Sequence, residues 1–433
     1  MRFLTFLLVT VCHFATAQGF IRTYGGSDDD DAFSFDQTSD GGFIIAGQTR
    51  SFGNGSNDLY IIKTDSLGDT VWTSTFGGSD GDLAHEVLQT TDNGYAIAGS
   101  RGGRTYVMKL EQNGDTAWSQ KFEGVDSNAL LELSSGGYFV TGTAGCRISL
   151  IKMDEFGNSI WTKYYGSNTF VACKRAYGIL ETLDGGIVIF GDVDTIGGTS
   201  EGALDFYLLK ISNDGDSLWS KIYGDTTQNS GRKAVLTSDG GFVLLGNTRH
   251  TPPNHYGTSD IHILKTDALG NLLWEKYFDN GLDDGGSSIK QTSDGGFVIG
   301  GTTILDYEWE KDHAYLMKID QYGTKLWDRT FSIDSNSNEW IWDIEVLEDD
   351  GYALVGSTEQ YNIQEDDWST DVLLIRTNAL GNLSSASKVS YPPSKKEIVR
   401  IIDLLGKETK PEVNTIQVYQ YSDGSFEKKV VIE

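Results

Sequence analysis

Six side chains stand out for what they could hold. His255 and Tyr256 lie in "NTRHTPPNHYGTSD" (247–260), Tyr307 and Trp309 in "TTILDYEWEKDH" (302–313), and Tyr361 and Trp368 in "STEQYNIQEDDWSTD" (357–371). Their rings are rigid apolar platforms, and the neighbouring Asp306, Glu308, Asp366 and Asp367 are hydrogen-bond acceptors for hydroxyls. Stacking surface beside acceptors suits a polysaccharide or a peptide. The same rings could instead fold back over small cores of the loops themselves. A further aromatic–acid cluster, "EWIWDIE" (339–345), alternates in the manner of an inner strand, which favours packing.

Reaction chemistry has no comparable signal. The chain lacks G-x-S-x-G, H-E-x-x-H and a glycine-rich phosphate loop set between a strand and a helix. Histidines are few and scattered, and the 62 carboxylates are too many for one acid/base pair to stand out. No spacing of Cys and His suggests zinc, and no cofactor motif is present. The expectation is a binding protein without cofactor or metal. A propeller-type polysaccharide hydrolase or lyase is the alternative, and a structural or adhesive surface protein the second.

The elements that position these residues follow from internal repetition. One motif reads Lys-x-Asp-x-x-Gly-x-x-x-Trp, as in "KTDSLGDTVW" (63–72) and "KTDALGNLLW" (265–274). Its tryptophans are Trp72, Trp118, Trp161, Trp219, Trp274 and Trp327, and a seventh copy, "RTNALGNLSS" (376–385), has Ser385 instead. A second motif, as in "TSDGGFIIAG" (38–47), interleaves with it and also occurs seven times. Asp-Gly and Gly-Gly pairs are hairpin signals, because glycine reaches positive φ without steric cost. The β-branched and aromatic runs between them are too short for helices.

Seven units of four short antiparallel strands predict an all-β, seven-bladed β-propeller over residues 18–385. The tryptophans are expected to wedge between blades, with the indole N–H bonded to a turn carbonyl. Asp residues in both turn motifs read as turn chemistry rather than a ring of calcium sites, and "GSDDDDAF" (26–33) reads as a solvated loop.

Strand order puts both short turns of each unit on one uniform face. The loops after the second strand and between units fall on a variable face, where binding is expected. Cys146 and Cys173 fall there near one blade boundary and could pair if their Cα atoms come within about 7 Å. "FIRTYGG" (20–26) aligns with the outer strand "WTSTFGG" (72–78), so Phe20 takes the tryptophan column for the seventh unit. Residues 20–25 are therefore expected to pair near "DVLLIRT" (371–377) and close the ring.

Residues 1–17, "MRFLTFLLVTVCHFATA", have Arg2, an apolar stretch and a small-x-small ending. That pattern is a secretory signal peptide with cleavage before Gln18, and it is too short for a membrane span. No other segment reads as a transmembrane helix. A net charge of −28 argues against nucleic acid, which calls for a basic footprint.

After a linker at 386–394 comes a tail, 395–433, with "DLLGKE" and the ending "VYQYSDGSFEKKVVIE". This tail resembles the C-terminal sorting domains of the type IX secretion system of Bacteroidota. The resemblance implies a small β domain that engages that secretion machinery, with a mature protein secreted or held at the outer-membrane surface. The upstream "YPNP"-like start of that family is shortened here to Tyr391-Pro392-Pro393. The repeats look like the propellers that accompany such tails. Their Asp-x-x-Gly-x-x-x-Trp turn is similar to the tryptophan-docking repeat of quinoprotein propellers and to the sialidase Asp-box. Both resemblances concern a structural turn and carry no catalytic residues over.

Overall fold

A computed structural model describes residues 19–383, except 124–126, 168–171, 195–203, 225–227, 250–258, 280–282, 305–310, 335–336 and 363–366, and the backbone of 398–402, 408–410, 416–421 and 426–430. The chain divides into two compact units, Met1–Val389 and Ser390–Glu433. Among the described residues no helix is long and apolar enough to cross a membrane.

The first unit is a β-propeller of seven four-stranded antiparallel blades. Blade 1 shows the plan: an inner strand (Asp30–Gln37), a second (Phe43–Thr49), a third (Asp58–Thr64) and an outer strand (Thr70–Phe76). Blades 2 to 6 repeat it over 82–122, 129–165, 174–223, 228–278 and 284–331. Blade 7 takes three strands from Asn338–Val346, Tyr352–Asn362 and Asp367–Thr377, and its outer strand is Phe20–Tyr24. That clasp strand runs antiparallel to the third strand, from Phe20 opposite Arg376 to Tyr24 opposite Val372.

The core is divided into seven apolar clusters, each lying between two neighbouring blades. Second and third strands are buried along nearly their whole length, as in "DLYIIKT". Both faces of these strands pack on a neighbour, which explains their continuous apolar runs. Phe20 joins the cluster between blades 7 and 1, and Ile21 joins the one between blades 6 and 7.

The repeated motif now has a physical reading. Its lysine is buried and reaches the Asp of the Asp-Gly turn: Lys63 to Asp40 at 3.0 Å, Lys109 to Asp92 at 2.8 Å and Lys265 to Asp239 at 2.8 Å. Arg376 reaches Asp349 in blade 7 in the same way. In blade 3, Ser135 stands where that aspartate would be, and Lys152 turns to Asn213 Oδ1 of blade 4 instead. The Asp of Asp-x-x-Gly accepts its own turn's amides, as Asp65 does from Leu67 and Asp69. Its Oδ1 is thus occupied by turn chemistry.

The motif's glycine has a second task besides its positive φ. A Cβ on Gly157 would stand 2.6 Å from the Trp118 ring, and one on Gly381 2.6 Å from the Trp327 ring. The tryptophans therefore lie against the following blade's turn, most tightly at Gly157, Gly215 and Gly381, where a Cβ would overlap the ring. Phe20 lies on Gly68 of blade 1 in the same way. Contrary to expectation, among the described residues no indole N–H of the tryptophan column donates to a turn carbonyl, and in three blades a phenol makes that bond. There a tyrosine four residues beyond the ring donates it: Tyr24 to Gly68, Tyr165 to Gly215 and Tyr223 to Gly270. A phenolic O–H on the longer side chain reaches the carbonyl while the ring above it supplies only packing.

Cys146 and Cys173 form a disulfide with their Cα atoms 4.3 Å apart, joining blades 3 and 4. The acidic run is solvated only in part: Asp28 is exposed and Asp29 and Asp31 are partly so, but Asp30 is fully buried at the start of the first inner strand. The second unit holds an antiparallel sheet whose strand at Ile398–Ile402 lies between Glu408–Thr409 and Ile416–Tyr421, with Phe426–Val430 at the other edge. Residues 1–17, expected as a leader, and 386–394, expected as a linker, lie outside the described residues.

Candidate functional site

Four of the six sequence-predicted ligand residues, His255, Tyr256, Tyr307 and Trp309, lie outside the described residues. The other two are brought together. Tyr361 faces Trp368 across the hairpin of blade 7, with ring centroids 5.3 Å apart, and both are more than two-fifths exposed. The Lys311 ammonium stands 5.1 Å from the Trp368 ring.

The inner strands build a site that sequence reasoning missed. In six blades the pairing of inner and second strand slips by one residue at the same position, between Ala32 and Ser34 in blade 1 and between Ile341 and Asp343 in blade 7. A β-bulge of this kind leaves one residue out of the ladder and re-aims its side chain. The bulged residues are Phe33, His85, Tyr177, Arg232, Ser287 and Trp342. Asn128 holds the matching place in blade 3.

All but Phe33 line a cavity of about 350 Å³ at the channel mouth on the variable face. Phe33 meets Trp342 edge to face at 6.1 Å. Trp342 is thereby exposed at the mouth, whereas strict alternation had favoured packing; the bulge breaks that alternation. Asn128 is held by its Nδ2 donating to the Ala176 carbonyl at 2.7 Å, and the Tyr177 hydroxyl donates to Asp192 at 3.1 Å. Burial pushes Asp192 up to about 6, against the opposing charge of Arg175 and the Tyr177 bond.

Deeper in the channel lies a cavity of about 230 Å³ with six ionisable groups on its wall: Asp36, Glu86, Lys233, Lys290, Asp343 and Glu345. Lys233 sits between Glu86 at 3.6 Å and Asp343 at 3.9 Å, and Lys290 pairs with Glu345. Ser288 donates to Asp343 at 2.7 Å. Burial raises Glu86 despite Lys233, and raises Glu345 to about 7 despite Lys290. Leu88, Leu130, Leu180 and Val235 add apolar lining. Blades 1, 6 and 7 thus supply charged groups, blades 3 and 4 apolar ones, and blades 2 and 5 both kinds, Glu86 with Leu88 and Lys233 with Val235.

A signal for the bulge ring was present in the repeats. Aligned on the Asp-Gly turn, one column holds small residues in most units (Ala32, Ala84, Ser127, Ala176, Gly231, Gly286), and the next holds the unlike set above. A conserved small residue followed by a divergent one marks a shared backbone feature that presents variable chemistry.

No family model matches the chain, and no curated protein matches it. Among solved structures it is similar to the WD40 domain of Neurospora crassa Pan2, at 11% identity over 85% of this chain and 98% of that one, with a TM-score of 0.52. It is also similar to Drosophila Plexin A, solved in complex with Semaphorin 1b, at 8% identity over 83% and 88%, with a TM-score of 0.50. A protein of unknown function from Dyadobacter fermentans shares 11% identity over 83% and 99%, with a TM-score of 0.48. At these identities the likeness concerns fold alone.

Proposed function

We propose that the chain is an exported, non-catalytic propeller that binds a glycan or a protein partner at its channel mouth on the variable face. The observation that carries this reading is the ring of bulges. A purely structural column repeats, as the lysines and tryptophans do. This one delivers a different side chain from every blade to one opening, which suits a ligand held in a single orientation. Phe33, Tyr177 and Trp342 offer stacking surface, while Arg232, His85 and Asn128 offer hydrogen bonds to hydroxyls, carbonyls or carboxylates. Tyr361 and Trp368 extend the aromatic surface in blade 7. The leader and the sorting-domain-like tail support delivery through the type IX secretion machinery, to the surface or beyond it.

The test is a glycan and surface-protein binding screen with the mature chain, repeated with Arg232→Ala and Trp342→Ala. Both residues are solvent-exposed, so the fold should tolerate their loss. The expected result is at least about a fivefold loss of affinity in each, since truncating an interface anchor costs about 1–4 kcal/mol. Undiminished binding in both variants would place the site elsewhere.

The raised Glu86 and Glu345 beside two lysines favour a second reading, a polysaccharide hydrolase or lyase working in the channel. Release of new chain ends from a polysaccharide, abolished by Glu86→Gln or Glu345→Gln, would establish catalysis in place of simple binding.

A further inference from the structure

The disulfide marks a position that recurs around the ring. The backbone N–H of Lys174, which opens blade 4, donates to the carbonyl of Cys146, just before the third strand of blade 3. Asp82 donates to Asn57 between blades 1 and 2, and Asp284 to Ser259 between blades 5 and 6, in the same arrangement. At the disulfide boundary the residues that follow the two cysteines are basic, Arg147 and Lys174. At three other boundaries both matching residues are aspartates: Asp58 with Asp82, Asp260 with Asp284, and Asp371 with Asp30.

These aspartates converge. Oδ1 of Asp58 and Oδ2 of Asp82 both crowd the space that a Cβ on Gly77 would take. Asp58 is 2% exposed and Asp82 1%, and Asp58 Oδ1, the oxygen aimed into that space, has no hydrogen-bond partner. Asp371 and Asp30 crowd Gly25 in the same way. Between blades 5 and 6 that glycine is replaced by a third carboxylate, Asp279, and oxygens of Asp260, Asp279 and Asp284 lie within 4.8 Å of one another. Burying paired carboxylates is costly unless something offsets their charge. Arg101 approaches Asp82 at 3.8 Å, yet Asp58 Oδ1 beside it keeps no partner.

We propose that calcium ions bind at these three boundaries, each bridging the third strand of one blade to the inner strand of the next. Calcium takes carboxylate oxygens at about 2.3–2.6 Å, so two ligands can stand up to about 5 Å apart, whereas the shorter magnesium bonds, about 2.0–2.1 Å, call for a tighter set. The ion does between blades 1 and 2, 5 and 6, and 7 and 1 what the disulfide does between 3 and 4.

The test uses the full mature chain stripped of calcium, followed by calorimetric titration and thermal unfolding with calcium, with magnesium, and at matched ionic strength. Calcium should bind with a stoichiometry above one and raise Tm by about 3 °C per site at a hundredfold excess over Kd. Asp284→Asn and Asp58→Asn should each lower the stoichiometry by one. They should also be more stable than the parent without calcium and less stable with it, because a neutral amide relieves the repulsion and loses the ion. A merely structural aspartate would shift Tm in the same direction under both conditions, which would overturn the proposal. So would the absence of calcium heat, or an equal response to magnesium.

Discussion

Replacing Phe20 by alanine tests how the ring is held closed. Phe20 is 6% exposed, packs on Gly68 of blade 1, and lies in the apolar cluster that joins blades 7 and 1. Truncating a buried phenylalanine costs about 3–5 kcal/mol. Ile21 still holds the strand to the cluster between blades 6 and 7, so the loss should appear first as local opening of the clasp. Hydrogen exchange reads this directly. Amides in 372–376, which pair with the clasp, should exchange roughly a hundred to a few thousand times faster if the whole cost falls on that opening. Amides in the second strands of blades 3 to 5 should stay unchanged. Phe20→Trp, which restores the ring type of the other blades, should remain within about tenfold of the parent by the same conversion. Val71→Ala, an exposed site on the outer strand of blade 1, is the control and should move nothing. If exchange at 372–376 is unaltered in Phe20→Ala, the clasp does not depend on that ring and the reasoning fails.

Stability should depend on pH from two opposite sides. Asp239 is held down to about 2, first by the Lys265 ammonium and then by the Thr237 hydroxyl, so its contribution is present above about pH 4 and fades as pH falls toward 2. Glu345 and Asp371 are raised to about 7, mainly by burial, so their contribution is present below about pH 4 and fades as pH rises through 7. Without calcium, Tm measured across pH 2–9 should peak near about 4–5; Asp239→Asn should flatten the acid limb and Glu345→Gln the neutral limb. Gly381→Ala forces a Cβ to 2.6 Å from the Trp327 ring, whereas a Cβ on Gly136, also at positive φ, meets open space; denaturant titration should show Gly381→Ala costlier by about 1–3 kcal/mol. Replacing Cys146 and Cys173 together by serine opens a link across 27 residues and should cost about 3–4 kcal/mol by loop-closure entropy, with no further loss on adding reductant.

The blades were legible because their physics is local. Asp-Gly turns, buried lysines and docked tryptophans recur at fixed spacing, and the missing Trp after "RTNALGNL" pointed to Phe20 across the whole chain. The channel mouth was not legible in the same way. A bulge changes the facing of a single residue, so period-two alternation assigned Trp342 to the packed side and passed over Arg232 and His85. The boundary aspartates were hidden for another reason. Asp58 and Asp82 are unremarkable in sequence, and their convergence depends on how adjacent blades abut at Gly77. Asp30 looked like one of four solvated acids, yet it is the one that opens the inner strand and is buried.

The clasp also sets a schedule. Phe20 is among the first residues made in the propeller, and its partner Arg376 among the last. At about 5–20 residues per second, roughly 20–70 s pass before that partner exists. Throughout that interval Phe20 and Ile21 have no groove to enter, and blade 1 keeps an uncovered flank. Ring completion is therefore a late event governed by the far end of the chain, and a chain halted before residue 371 would carry six finished blades and a permanently open seam.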